Sequence, residues 1–191
     1  MAPSSILVIA ATAHELAPPD GWATLLCGVG PVDAAVATAA AIALSPPTAI
    51  LHVGIAGARR ARGLAPASLV IGSAALYCDL VIPAHFAPRT VDASPVLLAA
   101  ARRTFPDAPV LPIGTSARVG GTTECYVEAM EGFGVLRAAQ QAGIPALEVR
   151  AIANAIEETD RAHWHFAEAF AAITRATPVL VRALREALDH A

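Results

Sequence analysis

The chain has 191 residues, 55% of them hydrophobic, and a net charge of −3. That length suits one domain, 1–191, able to bury a core without disulfides or metal, and the acidic balance excludes the basic footprint of a nucleic-acid binder. The longest apolar run, 34–44, falls short of the about 20 residues of a membrane span, and all 13 basic residues are arginine, which removes Schiff-base and P-loop lysine chemistry.

In chain order, 6–11 reads as a first strand. No Lys or Arg precedes it and it is too short for a secretory hydrophobic region, so a cytoplasmic protein is expected. A second strand, 23–27, leads through Gly28-Val29-Gly30 into a helix at 31–44 with Pro31 as its first residue. Strands follow at 49–53 and 68–76. Ser94-Pro95 opens another helix, Ser capping and Pro at the first position. Strands at 110–113 and 146–152 bracket a helix at 128–142 that stops at Gly143 with Pro145 beyond. Helices at 161–173 and 178–190 end the chain. This alternation predicts an α/β fold, a central mixed, largely parallel sheet flanked by helices. Cys27, Cys78 and Cys125 are odd in number and lack CxxC spacing, which predicts buried free thiols rather than a disulfide framework or zinc site. His163 and His165, two apart, face opposite ways on a helix, and no metal is expected.

Two glycine segments follow strands. In Gly28-Val29-Gly30 the third position of a dinucleotide fingerprint is Asp33, so an oxidoreductase is disfavoured. The bland reading is a tight turn. The other is that backbone N–H groups there, or in the turn Gly54-Ile55-Ala56-Gly57, approach a polar ligand or a water. From the residues alone Glu15 is a loop acid, Met130-Glu131 the first turn of a helix, and Asn154 a cap after a strand.

ILVIAATAHE (6–15), GVGPVDAA (28–35), HVGIAGA (52–58), VEAMEG (127–132) and EVRAIANAIEETDRAHW (148–164) nevertheless occur in the order seen in the nucleoside phosphorylase/nucleosidase superfamily, and nearly the whole chain resembles it. Within it the resemblance is to the futalosine hydrolase family, which removes hypoxanthine from futalosine in menaquinone biosynthesis. The resemblance implies Glu15 as general base toward water, Glu131 as acceptor for the ribose 2′- and 3′-hydroxyls, Met130 packed on the ribose, and Gly54 and Ile55 in the glycine turn near the nucleophile. It places Val119, Gly120 and Thr122 in the segment whose backbone meets the base. Glu128, one turn before Glu131 in this reading, is a helix-start acid. Thr159 replaces the first Arg of an Arg-Asp-Arg…Trp segment, and spacing does not choose between Arg89 and Arg118 for the carboxylate of futalosine's benzoate arm.

Asn154 discriminates within the superfamily. Related nucleosidases for 6-aminopurines carry Asp here, able to pass a proton to N7. Asn instead offers one donor and one acceptor, suited to a 6-oxo group beside a protonated N7. A phosphate nucleophile would want Ser or Thr where Ile55 stands, so hydrolysis is expected over phosphorolysis. The implied protein needs water and a purine nucleoside, no organic cofactor, no nucleic acid and no membrane, and forms a homodimer or larger homo-oligomer. The rivals are a methylthioadenosine/S-adenosylhomocysteine-type nucleosidase, a purine nucleoside phosphorylase, and a nucleoside-binding module without turnover.

Overall fold

The computed structural model describes residues 5–83, 85–120 and 125–190. Its centre is an eight-stranded mixed sheet. Strand β1 (Ile6–Ala10) is buried throughout, as the continuous apolar run requires of a strand covered on both faces. It pairs in parallel with β2 (Ala23–Leu26) and β3 (Ala49–Ala58). From β3 the pairing closes on itself through β8 (Ala146–Ala155), β4 (Leu69–Tyr77), β6 (Val110–Thr115) and β7 (Val127–Ala129). The closure needs antiparallel contacts of β3 with β7 and of β4 with β8, among otherwise parallel pairs. A short β5 (Thr90–Asp92) lies antiparallel on β4.

Helices α2 (Pro95–Thr104) and α4 (Phe166–Asp189) cover one face, burying Leu97, Ile173, Leu180 and Leu184 against Val8, Leu51 and Val149. Helices α1 (Pro31–Leu44) and α3 (Gly132–Gln141) cover the other, where Ala34 and Leu136 meet Leu7, Ile9 and Ile50. A third apolar group, including Val70, Ile113, Val127 and Ile152, joins the strands of the closed circuit. Among the described residues no helix is long and apolar enough to cross a membrane.

Three expectations are corrected. The helix placed at 128–142 starts at Gly132, because Val127–Ala129 is instead the strand that closes the circuit. The helices placed at 161–173 and 178–190 are one, α4, with Pro178 inside it. Pro forfeits one backbone bond, yet the apolar stripe Ala169, Ile173, Ala176, Leu180, Leu184 runs through at helical spacing and stays buried. The third is the strand placed at 49–53, which continues to Ala58, so Gly54–Gly57 lies in a strand rather than a turn. The thiols are free as expected, but Cys78 is partly exposed while Cys27 and Cys125 are buried.

Candidate active site

Strand periodicity builds the site. On β8, Leu147, Val149, Ala151 and Ala153 face the core under α2 and α4, so alternation turns Glu148, Arg150, Ile152 and Asn154 the other way. On β3, His52, Gly54 and Gly57 stand opposite Glu148, Arg150 and Asn154 in the parallel register. A register shift between Ala56 and Gly57 marks a bulge just where these strands reach the cleft.

Arg150 is the hub. Fully buried, it donates from Nε to Glu148 Oε1 at 2.8 Å, from Nη2 to Glu131 Oε2 at 3.2 Å and to His52 Nε2 at 2.5 Å, and from Nη1 to the Ile55 carbonyl at 3.4 Å. Since His52 Nε2 accepts, Nδ1 carries the proton and donates to the Ile9 carbonyl at 3.0 Å. Burial and the adjacent guanidinium hold the His52 pKa well below its ordinary value, so the ring is neutral. Burial alone would pull the Arg150 pKa down, but the carboxylates of Glu148, Glu131 and Glu15 outweigh it and the group is raised, firmly cationic. Burial pushes Glu148 up against the pull of Arg150, and among the described residues its Oε2 has no hydrogen-bond partner.

Two glycines make room for this network. A Cβ on Gly54 would run into Arg150 Nη1 and lie 2.7 Å from Glu15 Oε1, and one on Gly132 would run into the Glu148 carboxylate. Gly54 therefore sits behind the cleft rather than on its wall. Its use is to let the guanidinium cross β3.

Glu15 ends a short 3₁₀ turn after β1. It is 4% exposed, not the solvated loop acid that position alone suggests. Oε2 accepts from the Thr12 N–H and Oγ1, both at 2.9 Å, and Oε1 accepts from the Ile55 N–H at 3.0 Å. Glu131, at the start of α3, accepts from the Gly30 N–H through Oε1 at 3.2 Å. The Gly28-Val29-Gly30 turn is thus tied to a site carboxylate. Cys27 beside it has its thiol pushed up to about 12 by burial and by Glu131, which leaves it a packed neutral group rather than a nucleophile.

A cleft of about 300 Å³ opens between these groups, a size suited to a small organic ligand. Glu15, Ile55, Val119, Met130, Glu131 and Asn154 line it together. Asn154 donates from Nδ2 to the Ala155 carbonyl at 2.8 Å, which leaves one N–H and the amide oxygen for a ligand. Glu128 is a correction: it is a buried residue of β7 on the cleft wall, and its carboxylate accepts from the Gly120 N–H. Gly120 is accordingly spent on Glu128 and does not itself border the cleft; Thr122 lies outside the described residues. Neither Arg89 nor Arg118 is among the described residues lining the cleft, whereas Arg161 is.

Sequence reasoning missed Arg150, His52 and Glu148 as site residues. Their signal was polar and ionisable side chains inside strands otherwise apolar, since buried polar groups occur where they are partnered.

Residues 23–124 match the family described as the Phosphorylase superfamily. A futalosine hydrolase of Streptomyces coelicolor is 36% identical over 94% of this chain and 86% of its own length, and one of Thermus thermophilus is 30% identical over 82% and 79%. Among solved structures, an S-adenosylhomocysteine nucleosidase from Streptococcus pyogenes in complex with 5-methylthiotubericidin aligns with a TM-score of 0.83 at 21% identity, covering 97% of this chain and 98% of that one. The futalosine hydrolase of Helicobacter pylori aligns with a TM-score of 0.79 at 14% identity, covering 96% and 97%. Those two likenesses are of fold.

Proposed function

Given that the chain belongs to the Phosphorylase superfamily and, within it, to the futalosine hydrolase family, we propose that it hydrolyses the N-glycosidic bond of futalosine, releasing hypoxanthine and dehypoxanthine futalosine in menaquinone biosynthesis. The observation that carries this reading is the placing of Glu15, Glu131 and Asn154 around one cleft.

A water beside Glu15 attacks C1′ of the ribose while the C1′–N9 bond breaks. Glu15 takes the proton that water loses and returns it to solvent, and the departing base takes a proton from solvent at N7, so hydroxide ends on C1′, one proton ends on the base, and the sum is the addition of one water. Glu131 accepts from the ribose hydroxyls through its carboxylate, and Arg150 fixes that carboxylate in place. Glu15 and Glu131 lie on the cleft wall beside the Arg150 guanidinium, and their carboxylates favour the positive charge that grows on the sugar in an oxocarbenium-like transition state. Asn154 donates to O6 and accepts from N7–H, which matches hypoxanthine better than adenine.

Water is favoured over phosphate on physical grounds. The Ile55 N–H is occupied by Glu15, and Arg150 is committed to Glu148, Glu131 and His52. A phosphate beside Glu15 would meet like charge, and of the two arginines among the described residues lining the cleft, Arg150 is already committed and Arg161 stands beyond the aromatic side chains from Glu15. The same reading includes a cytoplasmic homo-oligomer; Val29 on the cleft wall and Val32 and Val36 on α1 leave exposed apolar surface beside the site that a second subunit would cover.

Reaction in H₂¹⁸O tests the chemistry. One ¹⁸O in the sugar product supports water as nucleophile; an unlabelled sugar phosphate formed only with added phosphate rejects it.

A further inference from the structure

The cleft has a further wall, aromatic in character, beyond Glu15, Glu131 and Asn154. His14, next to Glu15, stacks on Phe170 with ring centroids 5.6 Å apart; Phe170 stacks on Phe166 at 6.0 Å; Phe166 meets Trp164 at 5.4 Å; and the Arg161 guanidinium lies 5.3 Å over the Trp164 ring. Phe170, Phe166, Trp164 and Arg161 all line the cleft. The Trp164 Nε1–H donates to the Glu158 carbonyl at 3.1 Å, which fixes the indole plane. An aromatic ladder therefore leads from His14, beside Glu15, to the Arg161 guanidinium.

That cation has no carboxylate partner among the described residues. Asp160 Oδ1 accepts from the Ala162 N–H at 2.9 Å, and Glu158 Oε2 faces Arg60 at 3.4 Å and His163 at 3.5 Å. Among the described residues Arg161 is held by the face of Trp164, which leaves its planar fork of N–H donors facing the cleft. Glu131 takes the ribose and Asn154 the base, so the remaining arm of the ligand runs along the ladder.

We infer that Arg161, seated on Trp164, is the specificity-determining anchor for a terminal carboxylate on an aromatic arm of the nucleoside, with Phe166 and Phe170 stacking on that arm. This rests on the reading of the site as a nucleosidase for futalosine and assigns a residue to the end of the molecule remote from the bond that breaks. Arg161 touches no reacting atom, so its effect falls on binding rather than on the chemical step.

The test compares wild type, Arg161→Ala and Arg161→Lys on futalosine and on its methyl ester, where the carboxylate is neutral, at low and high salt. Arg161→Ala is expected to raise KM for futalosine about tenfold, the scale of one charge-assisted hydrogen bond, with kcat little changed and the loss smaller at high salt. On the ester the variant and wild type should agree, and Lys should restore part of the loss on futalosine. Equal losses on acid and ester, or none on either, overturn the assignment while leaving the hydrolase reading intact. Failure of wild type to cleave either substrate overturns both.

Discussion

The backbone N–H of Ile55 donates to Glu15 Oε1 at 3.0 Å, joining residues 40 positions apart. This bond seats the Glu15 carboxylate, just beyond the end of β1, on the backbone of β3, and it occupies the Ile55 amide. On the proposed chemistry, the general base and the preference for water come from this same contact.

Glu15→Gln keeps the size of the side chain and one acceptor oxygen but cannot take a proton. It is expected to fold with an unchanged circular dichroism spectrum and to lose about 10²–10⁴ in kcat, the usual worth of a general base. Wild-type turnover in this variant would remove Glu15 from the proposed chemistry.

Asn154→Asp exchanges the donor N–H for an oxygen. Cleavage of 6-oxopurine nucleosides should fall relative to 6-amino analogues, by about tenfold or more if one buried donor to O6 is lost. A kcat/KM ratio between inosine and adenosine that does not move would show that Asn154 does not read the base.

Gly54→Ala adds a methyl where Arg150 Nη1 and Glu15 Oε1 now lie. The guanidinium must shift, so stability should fall by about 1–3 kcal/mol, and displacement of the base should cost turnover about 10²-fold. Denaturant midpoints and kcat measured on one preparation check both; a variant with native midpoint and rate contradicts the packing described.

His52 gives a pH signature. Its folded pKa lies below the ordinary 6.5, so it binds a proton more readily in the unfolded chain. The stability it contributes is complete above pH 6.5 and is lost as pH falls toward the folded value, at up to about 1.4 kcal/mol per pH unit. Glu148 acts in the opposite sense: its raised pKa makes its contribution complete below its ordinary 4.5 and lost as pH rises through the folded value. Comparing wild type with His52→Asn retains Glu148 in both proteins. The wild type should lose more stability than the variant between pH 7 and pH 5, and parallel profiles would reject a buried neutral His52.

What was legible in the sequence followed local pattern. A continuous apolar run announced β1, apolar runs broken by single polar residues announced β3 and β8, and Gly30-Pro31 and Ser94-Pro95 announced α1 and α2. What depended on distant partners was not legible. Val127–Ala129 is a three-residue strand with no periodicity of its own, formed because β3 and β6 flank it, and missing it turned the cleft residue Glu128 into a helix-start acid. Arg150 and His52 are 98 positions apart, and only the β3–β8 register brings them together. Splitting α4 at Pro178 and starting its first half at Arg161 hid the aromatic ladder, because the 3₁₀ turn Arg161–His163 sets Trp164 and Phe166 on the cleft.

The most direct measurement incubates the purified protein with futalosine, inosine and methylthioadenosine, each with and without phosphate, and quantifies the free base. Hypoxanthine released from futalosine at a rate indifferent to phosphate is the predicted result. Adenine released from methylthioadenosine in preference, or hypoxanthine released only with phosphate present, would contradict the account.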